Sequence, residues 1–147
     1  MSKEVAVDSP QRSREAERIE PAPALNLLTG QIVDAAYAVH KALGPGLMES
    51  VYEKCLAYEL GTRGLTVERQ VAIPIQYRDL IVEAGLRMDM VVGRSVIVEI
   101  KSMDRLLPIH QAQIFTYLKL SALQVGLLIN FNVSYIKDGI RRVALTT

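Results

Sequence analysis

The stretch Leu86–Lys101 reads LRMDMVVGRSVIVEIK, two apolar runs joined by Gly93-Arg94. Val, Ile and Met dominate both runs, and a short glycine-containing link between such runs signals a hairpin. Each run nevertheless carries charge: Arg87 and Asp89 in the first, Glu99 and Lys101 in the second. Side chains of this kind are rarely buried unless paired or bound to metal. Strand periodicity puts Glu99 and Lys101 on one face, about 6–7 Å apart along the strand, and places Arg87 and Asp89 together likewise. The short link lets Asp89 and Glu99 meet across the hairpin. Two converging carboxylates can hold a hard divalent cation such as magnesium, with the Ile100 backbone carbonyl as a further ligand. Lys101 would then lie beside the metal-bound water, placed to orient or deprotonate it. The same residues fit a plainer alternative, a half-buried structural ion pair of Glu99 or Asp89 with Lys101 or Arg87. Spacing alone leaves both open.

Working outward, Thr66–Arg78 has apolar residues at alternate positions (Val67, Val71, Ile73, Ile75, Tyr77), which predicts a strand. Arg78-Asp79 is a turn, and Leu80–Val92 is a second strand interrupted at Gly85. With Ser95–Lys101 these make an antiparallel meander. Upstream, Leu27–Leu43 has Ile32, Ala36, Val39 and Leu43 at helical spacing and is stopped by Gly44-Pro45-Gly46. Glu49–Arg63 predicts a second helix with Val51, Cys55, Leu56 and Leu60 on its apolar face and Gly64 as its stop. Downstream, Pro108–Leu120 is helical, Gln124–Phe131 (QVGLLINF) is a fully buried strand, and Arg141–Leu145 adds an edge strand. The order α-α-β-β-β-α-β, with a helix between the third and fourth strands, implies a crossover. It predicts an α/β fold, a mixed sheet of four to five strands flanked by helices.

Residues 1–24 are polar and contain Pro10, Pro21 and Pro23, which predicts a flexible tail with a helical turn around Ser13–Glu20, ahead of one domain at 25–147. The whole chain has 147 residues, 50% of them hydrophobic and 22% charged, which suits a single globular domain and excludes a wholly disordered chain. One cysteine, Cys55, excludes an internal disulfide framework and a multi-cysteine zinc site. It reads as a small core residue. No apolar run is long enough to span a bilayer, and the start lacks the apolar core of a signal peptide, so a cytoplasmic protein without a membrane partner is expected. The net charge is +1, but residues 61–147 hold eleven basic against seven acidic groups. Eight of those bases are arginine. That bias permits a phosphate-bearing partner without demanding one.

Three residue sets remain. Glu49 opens a helix, where a carboxylate suits the positive end of the dipole, and Tyr52 reads as a core aromatic with a hydroxyl partner. His110, Gln113 and Tyr117 form one helical stripe, either solvated or lining a groove beside EIK. His40 reads as a helix-end residue, and Asp104 and Arg105 are placed to cap the following helix.

At this point the sequence resembles a known family. Asp89 followed by Glu99-Ile100-Lys101 resembles the signature of the PD-(D/E)xK nuclease superfamily. Gly46-Leu47-Met48-Glu49-Ser50-Val51-Tyr52 is similar to the motif of the GxxExxY family, a branch of it. The likeness runs through ELGTRGLTVERQ, the EIK strand, Gln113-x3-Tyr117 and LLINF, about residues 25–145. It implies a restriction-endonuclease-like α-β-β-β-α-β core. It implies Asp89 and Glu99 as metal ligands, Lys101 as the catalytic lysine, Glu49 as a further carboxylate acting at the metal, and Gln113 and Tyr117 bordering the active site.

The expected function is thus a Mg2+- or Mn2+-dependent phosphodiesterase, a nuclease cleaving DNA or RNA by attack of a metal-bound water. Arg87, Arg105, Arg141 and Arg142 are candidates for holding flanking phosphates. With no tryptophan and few other aromatic residues, a dedicated base-stacking platform is not expected. A second copy or a partner protein would supply specificity. The alternatives are a non-catalytic nucleic-acid-binding or protein-assembly module that keeps the fold, and a small-molecule phosphohydrolase, which should have a closed pocket.

Overall fold

A computed structural model describes residues 3–7, 23–83 and 85–145. A mixed sheet of five strands, β2 (Val67–Ala72), β5 (Arg87–Val92), β6 (Val96–Lys101), β7 (Val125–Asn130) and β8 (Ile140–Leu145), is extended at one edge by β1 (Lys3–Val7). The order across the sheet is β1-β8-β7-β6-β5-β2. Strands β2, β5 and β6 form the expected antiparallel meander, β6 and β7 run parallel, and β7 and β8 are antiparallel. The parallel pair is joined by helix α3 (Pro108–Ser121), the crossover.

Two helices, α1 (Pro23–Leu43) and α2 (Glu49–Thr62), cover one face. There Ile32, Tyr52 and Leu56 pack with Met90, Val98 and Phe131. Helix α3 covers the other face, where Ile114 and Leu118 pack on Ile97, Leu128 and Val143. All six residues of β7 are buried, because helices lie on both sides of this parallel pair.

Several boundaries differ from expectation. The run Thr66–Arg78 is not one strand: after Pro74, Ile75–Tyr77 becomes β3, which pairs with β4 (Leu80–Val82) in a separate two-stranded arm. Proline lacks the N–H that the ladder needs. Gly85 separates β4 from β5, as its sequence position suggested, and takes φ +72°, an easy conformation only for glycine. Helix α1 begins four residues early, at Pro23, and proline suits a first turn. On α2, Val51 is exposed, and Tyr52, Leu56 and Leu60 form the buried face together with Glu53.

The N-terminal expectation needs correction as well. Lys3–Val7 is not tail but strand β1, parallel to β8, so β8 is not an edge. Val5 and Val7 are β-branched residues at alternate positions, and β8 offers this segment unpaired backbone. The helical turn expected at Ser13–Glu20 lies outside the described residues.

Candidate active site

The β5–β6 register pairs Met90 with Val98, which brings Asp89 opposite Glu99 at the next step. Both carboxylates lie on the α3 face, in phase with Val91 and Ile97. Each is anchored by one oxygen to the other's strand. The Ile100 N–H donates to Asp89 Oδ2 at 2.8 Å, and the Asp89 N–H donates to Glu99 Oε1 at 3.1 Å. Glu99 is buried, 4% exposed. Burial, and then the negative charge of Asp89, push its carboxyl up to about 8; Lys101 pulls the other way. Among the described residues no ion pair within 4.0 Å joins Asp89 or Glu99 to Lys101 or Arg87. The structural ion-pair alternative is therefore not what the fold builds. Arg87 is exposed and donates instead to the Gln70 carbonyl at 3.3 Å.

Tyr117 closes the α3 side. It is buried, and its hydroxyl pKa is raised by burial and by the charges of Glu99 and Asp89. Gln113, exposed one turn earlier, hydrogen-bonds to it. Of the stripe, Tyr117 thus lies beside the carboxylates, while Gln113 remains exposed to solvent. His110 at the head of the helix does not line the site: its Nδ1 accepts the Leu107 N–H at 2.9 Å and caps α3, the role expected of Asp104 or Arg105. Both of those residues are exposed.

Glu49 reaches the site from the other side through a braced loop. The Tyr52 hydroxyl donates to the Gly44 carbonyl at 2.6 Å and accepts the Leu47 N–H at 3.1 Å. Its ring stacks on Phe131 with centroids 4.5 Å apart. Ser102, just past EIK, donates to the Leu47 carbonyl at 2.5 Å. The loop is so tied both to its own helix and to the end of β6. Glu49 then lines an open groove of ≈ 760 Å³ with Asp89, Ser102 and Asn132.

Four residues of this region, Glu53, Arg69, Gln70 and Asn130, carried no assignment from sequence. Glu53 is buried, with Oε2 accepting Arg69 Nε and Nη2 at 3.0 and 2.7 Å, and Oε1 accepting Gln70 Nε2 at 2.9 Å. Glu53 lies one helical turn from Glu49, a spacing that places both on one side of α2. Gln70 has φ +52° within a strand, which nothing in its sequence neighbourhood signals. Asn130, 1% exposed, brackets the segment that follows Lys101: its amide donates to the Met103 carbonyl at 2.9 Å, and its Oδ1 accepts the Met103 N–H at 3.1 Å.

Two candidate phosphate contacts lie apart from the groove. Arg142 donates to Asn26 Oδ1 at 2.7 Å, on the α1 face. Arg141 donates to the carbonyls of Asp138 and Ile140, both at 3.0 Å, and stands two strands from Glu99, roughly 10 Å on the usual strand spacing. His40 is buried and donates to the Val133 carbonyl at 2.8 Å, a structural role. Cys55 is half-buried against the core.

Among the described residues no cluster of three or more His, Cys, Asp or Glu side chains is present. A divalent ion would therefore rest on Asp89 and Glu99, with backbone, water or substrate oxygens completing its shell. Magnesium is commonly bound by one or two carboxylates in this way. The donors are hard oxygens; burial, and then the Asp89 charge, raise the Glu99 carboxyl, and a dication would relieve the repulsion between the two carboxylates. The residues present fit the ion.

No described helix is long and apolar enough to cross a membrane. A family model described as the PD-(D/E)XK nuclease superfamily matches residues 26–143. No curated protein and no solved structure matches the chain.

Proposed function

We propose that this chain, which belongs to the PD-(D/E)XK nuclease superfamily, hydrolyses phosphodiester bonds of DNA or RNA with Mg2+ or Mn2+. Within the superfamily we assign it to the GxxExxY branch. That finer assignment is supported by Gly46-x-x-Glu49-x-x-Tyr52, whose tyrosine braces the loop and whose glutamate enters the groove.

The observation that carries the proposal is the convergence of Asp89 and Glu99 on one face, with Tyr117 against them. In this reading Asp89, Glu99 and the Ile100 carbonyl hold the ion. When bound, it supplies Lewis-acid neutralisation of the phosphate. Lys101, two residues beyond Glu99 on the same face, orients the attacking water and stabilises charge developing on the phosphoryl oxygens. Glu49 acts from the groove's opposite wall, and Gln113 and Tyr117 border the bound strand. Arg87 and Arg105 are exposed and serve as phosphate contacts in this reading, with Arg141 two strands from Glu99; Arg142 is engaged by Asn26. An open groove favours a polymer over a small phosphate ester, which wants an enclosing pocket. A second copy or a partner protein would add sequence or structure specificity. One cysteine suits a reducing compartment, here the cytoplasm.

A panel of single- and double-stranded DNA and RNA, incubated with Mg2+, Mn2+ or chelator, tests the proposal. Cleavage of at least one substrate that chelator abolishes is expected. Binding without cleavage of any of them would favour the non-catalytic nucleic-acid-binding alternative, and neither binding nor cleavage the protein-assembly one.

A further inference from the structure

The edge strand β2 pairs with β5 at Arg69–Met90 and Val71–Met88, but the pair between these, Gln70–Asp89, is missing. Gln70 stands at φ +52°, a left-handed conformation that costs an ordinary residue roughly 1–2 kcal/mol. Three contacts hold it there. Its Nε2 donates to Glu53 Oε1 at 2.9 Å, Glu53 is itself fixed by Arg69, and the Gln70 carbonyl accepts Arg87 Nη1 at 3.3 Å. Directly opposite, the Asp89 N–H does not enter the β2 ladder and donates to Glu99 Oε1. Strain held in place next to a reactive group is a recurrent feature of functional sites.

We propose that Gln70 is a positioning residue: its left-handed turn, locked by Glu53, keeps the Asp89 amide out of the sheet ladder so that it aligns the Glu99 carboxylate. The inference rests on the nuclease reading for its consequence in catalysis, but its structural core does not. A β-branched residue at position 70 favours extended backbone and would close the ladder, capturing the Asp89 amide. Glycine at the same position adopts the left-handed turn without strain. Both replacements lose the Glu53 hydrogen bond equally, so their comparison isolates the backbone.

The test compares Gln70→Val with Gln70→Gly in three readouts. Gln70→Val should melt at or above Gln70→Gly, because the ladder is completed and the glycine entropy cost is absent. Its kcat should nevertheless fall below that of Gln70→Gly by roughly 10–100-fold, the usual scale for losing a group that orients a metal ligand, with KM little changed. In the metal-free proteins the Asp89 amide proton shift should match between wild type and Gln70→Gly and move in Gln70→Val. A Gln70→Val protein as active as Gln70→Gly, or one that melts below it, would overturn the inference. Should the wild type cleave nothing, the nuclease reading fails, and the Asp89 amide shift alone decides the role of Gln70: an unmoved signal in Gln70→Val refutes it.

Discussion

Glu99 governs how the site responds to protons. Its folded carboxyl titrates near 8, against an ordinary value of 4.5, because it is buried beside Asp89. The folded protein therefore holds this proton more tightly than the unfolded chain. The stabilisation is complete below about pH 4.5 and is lost as pH rises through about 8. In chelator, the wild-type melting temperature should fall between pH 5 and pH 8 relative to Glu99→Gln, which cannot ionise. Parallel pH profiles for the two proteins would contradict the assignment. Asp89, Glu99 and Lys101 were legible in the sequence because charges inside apolar strands are costly and so conspicuous. Gln70 was not, since a left-handed conformation at a residue other than glycine leaves no trace in composition. Glu53 was hidden too, as a carboxylate on a helix reads as solvated until Arg69 is seen to cover it.

At the scale of elements, the braced loop before α2 and the Asn130 contacts at the end of β7 fix the segments that carry Glu49 and follow Lys101. Tyr52→Phe keeps the ring on Phe131 but removes both hydroxyl hydrogen bonds to the loop. Leu47 is exposed and Gly44 half-buried, so each lost hydrogen bond costs about 0.5–1.5 kcal/mol, and a lower melting temperature and reduced turnover are expected together. Full activity in Tyr52→Phe would show that the loop needs no brace. Gly139 fits against the Asn130 backbone, and a Cβ there would run into the Asn130 carbonyl oxygen. Gly139→Ala should thus destabilise by about 1–3 kcal/mol, read by denaturant unfolding. Element types were readable from periodicity, but their ends followed local chemistry. Pro74 and Gly85 split the two long strands, and only the glycine was weighted. β1 was missed because only Val5 and Val7 of its five residues favour strands, inside a polar, proline-containing segment.

On the scale of the whole molecule, the chain order was readable because a helix between two strands forces a parallel crossover, and that crossover places EIK beside the buried β7. Which arginines share the groove was not readable, because that depends on strand order and on partners such as Asn26. Since the fold brings two carboxylates together at its own expense, a dication should repay it. At 100-fold excess over its dissociation constant, Mg2+ or Mn2+ should add about 2.7 kcal/mol. For a chain of this size that is a rise of roughly 5–10 °C. Glu99→Gln should shrink that rise, and an undiminished rise would place the ion elsewhere. The most direct measurement is single-turnover cleavage by wild type and Lys101→Ala with Mn2+, alongside Mn2+ binding by calorimetry. Lys101→Ala should bind Mn2+ as wild type does while cleaving at least about 100-fold more slowly. Equal cleavage rates in the two proteins would contradict the account.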